Sequence, residues 1–538
     1  MRNVSWCDNC RIPLLNSICE ICGSRGRRVA SDVRPVFPEE KRLIEILQGY
    51  PDGCLGNKPV WDTSSNYLLI DGEPVLIDKG RLRASDTREI RDRLQERTVS
   101  LFENDWFSSH LSAFVRANLS RLNEIECKAF DIIEEARSRR NHFVSVVSFS
   151  GGKDSTVVSD LVRRAYANQS IPHVFGDTTL ELPETLDYLN NFRRDNPKTP
   201  FIVSRSSHDF FDLCRQIGPP SRVMRWCCTV FKTAPIGKAF DSFRKLGPML
   251  TYYGVRKAES SRRAKYDAIT ESPKVSTQTV VSPIISWADA DVWLYIAARG
   301  LQFNRAYRLG FSRVGCWVCP SSSLWSFFLT RVYHPELSEP WRNYLVEVAT
   351  RMGKPDPEEY VDSGNWRARQ GGQGLDTAFK GTITARPCGD DPNAKTYTLT
   401  RPISTDLYEY FKPFGHIESG RGRSLLGEVF VVDKRTHDPI LVLQGRVGTN
   451  DLRVKAVGTS NPALLLLRVD CQLRKYQSCA LCGGCPSVCP SGAISDKAGR
   501  YTIDEETCTN CLKCISHFDT GCLVSKVLQT RKRKGSRK

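Results

Sequence analysis

Apolar and polar positions alternate with two different periods through the middle of the chain. Short apolar runs such as "HFVSVV" and "HVFGD" predict buried strands, whereas "VVSDLVRRAYAN" and "LPETLDYLNNFRR" carry apolar residues at helical spacing. Strands that alternate with helices in this way are typical of a parallel sheet covered on both faces. The pattern therefore predicts an α/β core over residues 116–335.

Less regular patterns on either side of this core predict smaller domains. Before it, "EEKRLIEILQGY" is typical of a helix, and Asp71-Gly72 marks the turn of a hairpin. After it come the strand-like "GEVFVVD" and "PILVLQGRV" and a linker-like "GNWRARQGGQG". The expected domains are a cysteine-rich segment 1–28, a small α+β module 29–115, the core 116–335, a mixed α+β connecting domain 336–470, a cysteine-dense domain 471–525 and a basic tail 526–538.

Length and composition narrow the class of protein. A chain of 538 residues is too long for one core, and a hydrophobic fraction of 40% is ordinary for globular proteins. No segment approaches the ~20 apolar residues of a membrane span, and the N-terminus lacks an apolar signal-peptide core. We therefore expect a cytoplasmic protein with no membrane partner. Most of the 21 cysteines form Cys-x-x-Cys groups, which in that compartment favours metal or redox chemistry over disulfides.

The net charge of +17 is strongly basic, and the six basic residues of the tail Arg531–Lys538 supply only part of it. A basic surface favours phosphate-rich partners, from nucleotides to nucleic acid. Because a solvated basic surface has the same composition, charge alone leaves a nucleic-acid partner open.

The stretch "SFSGGKDST", residues 148–156, joins a predicted strand to a predicted helix. It is not a Walker A loop, because Val147 stands where that motif has its first glycine and Asp154 follows the lysine. Two glycines nevertheless let backbone amides approach an anion closely. The helix N-terminus and Lys153 add positive charge, and two serines add hydroxyls. The stretch therefore predicts a phosphate or pyrophosphate site.

This loop resembles the Ser-x-Gly-Lys-Asp-Ser signature of the PP-loop ATP pyrophosphatase superfamily. Further segments are similar to its phosphoadenosine phosphosulfate (PAPS) reductase family. "DTTLELPET" resembles that family's Asp-Thr-Gly-x-x-Phe-Pro-Glu-Thr, with Thr179 in place of the glycine. "YGVRKAESSRR" resembles its arginine-rich segment, here with Gly254, Glu259 and Ser260, and "PIISWADADVWLYI" and "FNRAYRLGFSRVGCWVCP" resemble its later elements. The resemblance covers residues 143–320 and implies the PP-loop fold for the core.

The resemblance also implies an adenine nucleotide, either a sulfonucleotide or ATP, the latter with Mg²⁺. It places the loop around the phosphates, Asp177 near the nucleotide, and arginines facing anionic groups, where a planar guanidinium binds two oxygens at once. The implied nucleotide-binding residues are Ser150, Gly151, Gly152, Lys153, Asp154, Ser155, Asp177, Arg256 and Arg262. The implied catalytic residues are Lys153, Asp154, Lys232 and Arg256.

The first cysteine group lies at the N-terminus and consists of Cys7, Cys10, Cys19 and Cys22. Two Cys-x-x-Cys knuckles at this spacing are typical of a zinc ribbon with four thiolate ligands. The short segment could not bury a core of its own, so a bound metal would supply folding free energy. Iron in a rubredoxin-like site is the alternative.

The second group is Cys227 and Cys228 with Cys316 and Cys319. Adjacent cysteines followed by a distant Cys-x-x-Cys resemble the [4Fe-4S] ligands of the adenylylsulfate (APS) reductase branch, in which Lys232 would lie close to cluster and substrate. Zinc is the alternative. The chain departs from this family in one respect: the C-terminal Glu-Cys-Gly nucleophile is missing, and neither Cys388 nor Cys471 matches its context.

The third group repeats the spacing of bacterial ferredoxins. Its first run ends in Cys489-Pro490, and its second run has a longer gap before the last cysteine. In two-cluster ferredoxins the fourth cysteine of each run ligates the other cluster. The implied [4Fe-4S] ligand sets are Cys479, Cys482, Cys485 and Cys522 for one cluster, and Cys508, Cys511, Cys514 and Cys489 for the other.

Together these parts predict an enzyme with a PP-loop nucleotide site, a neighbouring cysteine site and an appended ferredoxin domain. The first hypothesis is redox-coupled sulfur chemistry, either sulfonucleotide reduction or sulfur transfer, with electrons from the ferredoxin domain. The alternative is an ATP-dependent sulfurtransferase acting on nucleic acid, similar to DNA phosphorothioation or tRNA thiolation enzymes. The sequence names neither the electron donor nor the sulfur acceptor.

Overall fold

A computed structural model describes most of the chain. The described residues are 3–63, 65–77, 82, 86–139, 144–244, 246–271, 278–369, 383–496, 499–518 and 521–528. The chain divides into a first unit, Met1–Ser204, Ala239–Pro273 and Thr277–Asn343, and a second unit, Arg205–Lys238, Lys274–Ser276 and Tyr344–Lys538. The expected tail from residue 529 onward and the expected linker from residue 370 to 374 lie outside the described residues. The expected domain boundaries stay predictions.

A six-stranded sheet forms the centre of the first unit. Its strands lie in the order Phe201–Arg205, His173–Asp177, Val144–Ser148, Met249–Tyr252, Gln278–Val281 and Ile269–Glu271. Val144–Ser148 pairs in parallel with both of its neighbours, and the edge strand Ile269–Glu271 pairs antiparallel. The predicted fold class, α/β with a parallel sheet, is confirmed.

Amphipathic helices pack against this sheet. Leu119–Ser138 buries residues spaced three or four apart, and Lys153–Ala165 buries a continuous apolar face. These side chains share one core with sheet residues such as Val147 and Leu250. Each fully buried Leu, Ile or Val contributes about 1.5–3 kcal/mol, so this core holds the strand ends in fixed positions.

Two smaller antiparallel sheets complete the first unit. The N-terminal one has the strand order Ile12–Leu14, Val4–Cys7 and Arg27–Ala30. The other has the order Val33–Pro35, Val60–Thr63, Tyr67–Ile70 and Glu73–Leu76. The predicted hairpin turn lies between the last two strands, where Asp71 and Gly72 have φ of 54° and 83°. Positive φ at both positions is the type I′ geometry that favours Asp-Gly.

The second unit contains a six-stranded antiparallel sheet. Its strand order is Thr384–Cys388, Asp391–Thr398, Asp451–Ala456, Pro439–Gln444, Glu428–Val432 and His416–Glu418. Helix Pro462–Ser478 packs on it through Val469 and Leu473, which share a core with Tyr397 and Val454. The C-terminal cysteine-rich segment also joins this core and adds the strand pair Ile494–Ser495 and Thr502–Ile503.

Helices of widely different length connect these strands. In chain order, the α-helices are Pro38–Gln48, Thr87–Gln95, Leu101–Arg116, Leu119–Ser138, Lys153–Ala165, Pro183–Asp195, Phe210–Ile217, Trp226–Cys228, Ala234–Arg244, Asp289–Arg299, Leu324–Tyr333, Pro335–Arg351, Pro357–Asp362, Pro462–Ser478, Gly484–Val488, Lys513–Ser516 and Leu523–Leu528. The 3₁₀ turns are Lys257–Glu259, Arg263–Lys265, Arg305–Tyr307, Asn365–Ala368, Thr405–Tyr410 and Ser424–Leu426, and Thr229–Thr233 is a π-helical turn. Within the described part of the chain, no helix is both long and apolar enough to cross a membrane.

Candidate active site

The glycine loop lies at the carboxyl end of the central strand Val144–Ser148 and leads into helix Lys153–Ala165. Gly151 has a φ of +70°, a conformation that favours glycine. The Ser155 hydroxyl accepts a hydrogen bond from the Ser150 amide at 3.1 Å and donates one to the Gly152 carbonyl at 2.8 Å. Internal bonds therefore fix the loop shape in advance, and the helix N-terminus behind it favours an anion.

Two buried cations and two carboxylates surround the start of this helix. Lys153 and Arg256 are only 3% and 5% exposed. The Lys153 ammonium lies 3.3 Å from Asp154 and 3.1 Å from Asp289. The Arg256 guanidinium lies 2.7 Å from Asp154 and 2.8 Å from Asp289. Each carboxylate is therefore shared by both cations.

This pairing sets the protonation of the four groups. Burial by itself lowers the pKa of Lys153 and of Arg256, but Asp154 and Asp289 outweigh it and raise both. Burial raises the pKa of Asp289, but Lys153 and Arg256 outweigh it and hold that pKa below its ordinary value. The two cations therefore stay charged at neutral pH, as phosphate binding requires.

Asp289 is a site residue that the sequence reasoning missed. It begins helix Asp289–Arg299 inside "PIISWADADVWLYI", a segment noted only for its resemblance. Its backbone amide donates to Asp32 at 2.8 Å, which fixes the start of the helix. Tyr307 was also missed, and its hydroxyl accepts a hydrogen bond from the Lys153 amide at 3.0 Å. The sequence offers only a weak signal for Asp289, an acidic residue just before the apolar run "VWLYI".

Gly254 lets the chain after strand Met249–Tyr252 approach the loop closely. A Cβ atom there would lie 2.7 Å from the Asp154 carbonyl carbon and 2.8 Å from the Ser155 amide nitrogen. Both are backbone atoms, so no side-chain rotation could relieve the contact. This close approach leads two residues later to Arg256.

The neighbouring strand His173–Asp177 delivers the "DTT" segment to the same edge of the sheet. The Asp177 carboxylate accepts a hydrogen bond from the Thr179 amide at 2.8 Å. Thr179, which replaces the glycine of the similar family, has a φ of +63°. The backbone thus keeps the left-handed conformation that favours glycine even though a β-branched residue occupies the position.

Cys316 lies beside this segment. Its sulfur is 3.3 Å from the Thr178 hydroxyl, and the following Trp317 amide donates to the Leu180 carbonyl at 2.9 Å. The Cys319 amide donates to the Cys316 carbonyl at 3.1 Å, so the Cys-x-x-Cys pair forms one tight turn. The segment that follows strand His173–Asp177 therefore contacts the turn that contains Cys316 and Cys319.

The remaining predicted residues of this site have different surroundings. Arg262 is exposed, just before the 3₁₀ turn Arg263–Lys265. Lys232 is also exposed, in the π-helical turn that follows Cys228. Cys227, Cys228 and Lys232 belong to the second unit, whereas the Cys316 pair belongs to the first. Single π turns inside helices are frequent at functional sites.

The N-terminal cysteines converge on one point. The sulfur atoms of Cys7, Cys10, Cys19 and Cys22 all lie within 4.8 Å of one another. The Cys7–Cys22 and Cys10–Cys19 distances are 3.5 and 3.8 Å. Tetrahedral thiolate ligands at ~2.3 Å from a zinc ion would be about 3.8 Å apart. The four residues therefore fit a metal ion.

The C-terminal cysteines lie near one another in the second unit. Burial, with Cys485 and Cys479 nearby, raises the pKa of Cys522 to about 12. Burial also raises the pKa of Cys514 to about 12 against the opposing charge of Lys475. The cysteines that add to this rise are Cys485, Cys489 and Cys508. The last cysteine of each run thus lies near cysteines of the other run. Cys511 is exposed.

Comparison with known proteins gives this geometry a family context. Residues 144–322 match the phosphoadenosine phosphosulfate reductase domain. We call this segment the reductase-like domain. It contains the loop, Asp177, Arg256 and all four cysteines of the second group.

Relatives extend the similarity beyond this domain. An uncharacterized protein of Methanocaldococcus jannaschii is 29% identical over an alignment of 467 residues, and the alignment covers 68% of this chain and 96% of the relative. An adenosine 5′-phosphosulfate reductase of Staphylococcus epidermidis is 25% identical over 42% of this chain and 86% of its own length. The crystal structure of phosphoadenylyl-sulfate reductase from Candida auris has a TM-score of 0.28 at 16% identity, covering 36% of this chain and 89% of that one. The domain match and the reductase relative show that the middle of this chain is similar to PAPS and APS reductases.

Proposed function

We propose that the protein is an iron–sulfur oxidoreductase that binds a sulfonucleotide at residues 150–155 and reduces its sulfur. One observation carries the proposal: the Thr178 hydroxyl lies 3.3 Å from the Cys316 sulfur, directly after Asp177. Three adjacent strands bring the loop, Asp177 and Arg256 to the same edge of the sheet, where open α/β sheets bind ligands. The cysteine motif lies at that edge as well.

The loop and its two cations bind the phosphate groups. Backbone amides of the loop and of the helix N-terminus donate hydrogen bonds to the anion, and the Lys153 ammonium and the Arg256 guanidinium balance its negative charge. Asp154 and Asp289 hold these cations in position. These two carboxylates also keep Lys153 and Arg256 charged although both side chains are buried.

Reduction of a sulfonucleotide breaks the bond between sulfur and the bridging phosphate oxygen. The sulfur gains two electrons and leaves as sulfite, and the adenylate keeps the oxygen. Lys153 and Arg256 stabilise the negative charge that develops on that oxygen. The two electrons come from an external one-electron reductant of low potential, which in an assay is dithionite.

The three cysteine groups would hold metal. Cys7, Cys10, Cys19 and Cys22 would bind zinc, and Cys227, Cys228, Cys316 and Cys319 would bind one [4Fe-4S] cluster. The C-terminal sets Cys479, Cys482, Cys485, Cys522 and Cys508, Cys511, Cys514, Cys489 would bind one cluster each. Clusters of this kind, when bound, transfer single electrons at low potential.

Contacts inside the second unit support electron delivery to Cys227 and Cys228. His208 lies 2.9 Å through Nε2 from the Leu481 carbonyl, between Cys479 and Cys482. A Cβ atom on Gly484 would lie 3.6 Å from the Thr229 methyl group, one residue after Cys228. Helix Leu523–Leu528, which follows Cys522, contacts helix Trp226–Cys228. The set with Cys479, Cys482, Cys485 and Cys522 therefore adjoins the adjacent-cysteine pair.

The second candidate is ATP-dependent sulfur transfer to nucleic acid. It is favoured by the missing Glu-Cys-Gly nucleophile. Neither Cys471 nor Cys388 stands in that sequence context. Cys471 lies in a helix against Gly521, and Cys388 lies on an edge strand with its sulfur 3.8 Å from Arg453. The net charge of +17 also suits a nucleic-acid acceptor.

An anaerobic substrate panel distinguishes the two candidates. Purified protein is incubated with APS or PAPS and dithionite, and sulfite and the adenylate product are measured. In parallel, ATP–pyrophosphate exchange is measured with and without RNA or DNA. We expect sulfite release from a sulfonucleotide. ATP–pyrophosphate exchange without sulfite release from APS or PAPS, together with salt-sensitive nucleic-acid binding, would instead support the second candidate.

A further inference from the structure

The four-stranded sheet that begins with Val33–Pro35 contacts the nucleotide site from outside the reductase-like domain. Asp32 comes directly before its first strand. The Asp32 carboxylate accepts hydrogen bonds from the backbone amides of Asp289 at 2.8 Å and Ala290 at 3.0 Å. It also accepts one from the Val33 amide at 2.9 Å, which fixes its own position. Asp32 therefore binds the first turn of helix Asp289–Arg299 across a sequence separation of 257 residues.

This helix lacks a side-chain cap of its own. Ala288 occupies the N-cap position, where Ser, Thr, Asp or Asn would normally accept a hydrogen bond from an amide of the first turn. Because the alanine side chain has no acceptor, Asp32 satisfies two of the amides that a helix start leaves unpaired. Its negative charge also suits the positive end of the helix. The start of the helix that carries Asp289 therefore depends on a segment outside the reductase-like domain.

A second contact from the same region reaches the other residue that adjoins Lys153. The Glu39 carboxylate accepts a hydrogen bond from the Arg308 guanidinium at 2.7 Å. Arg308 directly follows Tyr307, whose hydroxyl accepts the hydrogen bond from the Lys153 amide. Two acidic residues before the core thus hold the two segments that supply Asp289 and Tyr307 to the site.

We propose that Asp32 is a positioning residue of the nucleotide site, which holds Asp289 where its carboxylate orients Lys153 and Arg256 toward phosphate. Asp32 acts through Asp289, which lies 3.1 Å from the Lys153 ammonium and 2.8 Å from the Arg256 guanidinium. The sheet that begins with Val33–Pro35 then has a role in nucleotide binding. The inference rests on the proposed binding of a sulfonucleotide at residues 150–155.

Three variants separate positioning from charge and from helix stability. Asp32→Ala removes both acceptor oxygens, whereas Asp32→Asn removes the charge and keeps one acceptor oxygen. The double variant of Asp32→Ala with Ala288→Ser supplies a local N-cap, but it does not restore the link to Val33–Pro35. Asp86→Ala is the matched control, because Asp86 caps helix Thr87–Gln95 of the same unit with the same kind of hydrogen bond.

The experiment measures the Kd of APS, and separately of PAPS, for the full chain by calorimetry without reductant, together with urea unfolding of each variant. We expect Asp32→Ala to weaken the Kd about tenfold or more, the effect of one hydrogen bond to a charged group. Asp32→Asn should weaken it less. The double variant should regain the unfolding midpoint of the wild type and keep the weaker Kd, and Asp86→Ala should bind as the wild type does. If Asp32→Ala does not fold, the double variant is compared with Ala288→Ser alone.

Three outcomes overturn the proposal and leave the nucleotide site intact. The first is an unchanged Kd in Asp32→Ala. The second is an equal change of Kd in Asp32→Ala and Asp32→Asn, which assigns the effect to the lost charge. The third is recovery of both the midpoint and the Kd in the double variant, which reduces Asp32 to a helix cap. If the wild type binds neither APS nor PAPS, the proposed site itself is refuted, and the role of Asp32 with it.

Discussion

At the scale of single residues, the four charged groups around the loop decide what the site can bind. Lys153 and Arg256 would be unstable as buried cations without Asp154 and Asp289, and their shared pairing keeps them charged. The same arrangement holds the guanidinium and the ammonium beside Asp154, at the start of helix Lys153–Ala165. Phosphate affinity and fold stability therefore depend on the same carboxylates.

Replacing Asp289 by asparagine should destabilise the first unit. The change leaves Asp154 as the one carboxylate of this group for two buried cations. We expect a loss of about 2–4 kcal/mol, below the full cost of breaking a buried pair because Asp289 is 24% exposed. Urea unfolding measures it. Asp195→Asn, which removes an exposed pair with Arg194, should change stability by no more than about 0.5 kcal/mol.

The pH dependence of Asp289 follows from its lowered pKa. A carboxylate with a folded-state pKa below its unfolded value contributes stability above about pH 4, and the contribution is lost as pH falls through the folded pKa. The stability difference between wild type and Asp289→Asn should therefore shrink below about pH 4. An unchanged difference down to pH 2 would contradict the pairing.

His334 should contribute stability with the opposite pH dependence. It is 7% exposed, with its ring nitrogens 3.1 Å from Glu184 and 3.4 Å from Glu336. Burial lowers the pKa of His334, but Glu184 and Glu336 outweigh it and raise the pKa. Its contribution is therefore complete below about pH 6.5 and is lost as pH rises through the folded pKa. Unfolding of His334→Gln at several pH values tests this, with the exposed His437→Gln as control.

At the scale of elements, the site depends on how closely three strand ends approach one helix. The loop follows Val144–Ser148, Asp177 ends its neighbour, and Arg256 follows Met249–Tyr252. Two positions in the connections after these strands make the approach possible. Gly254 has no Cβ atom to meet the backbone of Asp154, and Thr179 has a left-handed backbone conformation.

Gly254→Ala should damage both stability and nucleotide binding. The new methyl group would press on the backbone of Asp154 and Ser155, with contacts of 2.7 and 2.8 Å before any shift. We expect a loss of about 1–3 kcal/mol, typical of overpacking, and weaker binding of adenylate phosphates. Gly237→Ala is the control with the opposite sign. Its Cβ atom meets nothing within 4 Å, and alanine in a helix should stabilise by about 0.5–1 kcal/mol.

The elements and the site were predictable from sequence to different degrees. Strand Val144–Ser148, helix Lys153–Ala165 and the Asp71-Gly72 turn follow from local periodicity and turn chemistry. Asp289 could not be found in that way, because its pairing with Lys153 is a tertiary contact between distant segments. The contact of Thr178 with Cys316 depends on tertiary packing in the same way. Thr179 is the opposite case. The similar family has a glycine at this position, and Thr179 has the left-handed backbone conformation that favours glycine.

At the scale of the whole molecule, each of the two units contains cysteines from segments that are far apart in sequence. The first unit contains the nucleotide loop, the Cys316 pair and the converging N-terminal thiols. The second unit contains Cys227, Cys228 and both C-terminal sets. Residues 205–238, which lie within the reductase-like domain by sequence, group with the C-terminal segment. This grouping supports the proposed delivery of electrons to Cys227 and Cys228.

The iron and zinc content of the purified protein should show whether all three cysteine groups bind metal. Three cubane clusters and one zinc ion predict about twelve iron atoms and one zinc per chain, measured on anaerobically purified protein. Cys227→Ser with Cys228→Ser should lower iron to about eight and leave zinc unchanged, because the C-terminal sets remain. About eight iron atoms in the wild type, unaffected by that double variant, would contradict a cluster at the adjacent cysteines.

The central claim is that one site joins nucleotide phosphate binding to cysteine-dependent sulfur reduction. The most direct measurement is anaerobic sulfite release from the preferred sulfonucleotide by the wild type, Lys153→Ala and Cys316→Ser, with Cys127→Ser as an exposed-cysteine control. The account predicts at least a hundredfold loss of kcat/KM for the first two variants, a loss of about 2.7 kcal/mol or more in transition-state stabilisation, and wild-type rates for the control. Full sulfite release by Lys153→Ala or by Cys316→Ser would contradict it.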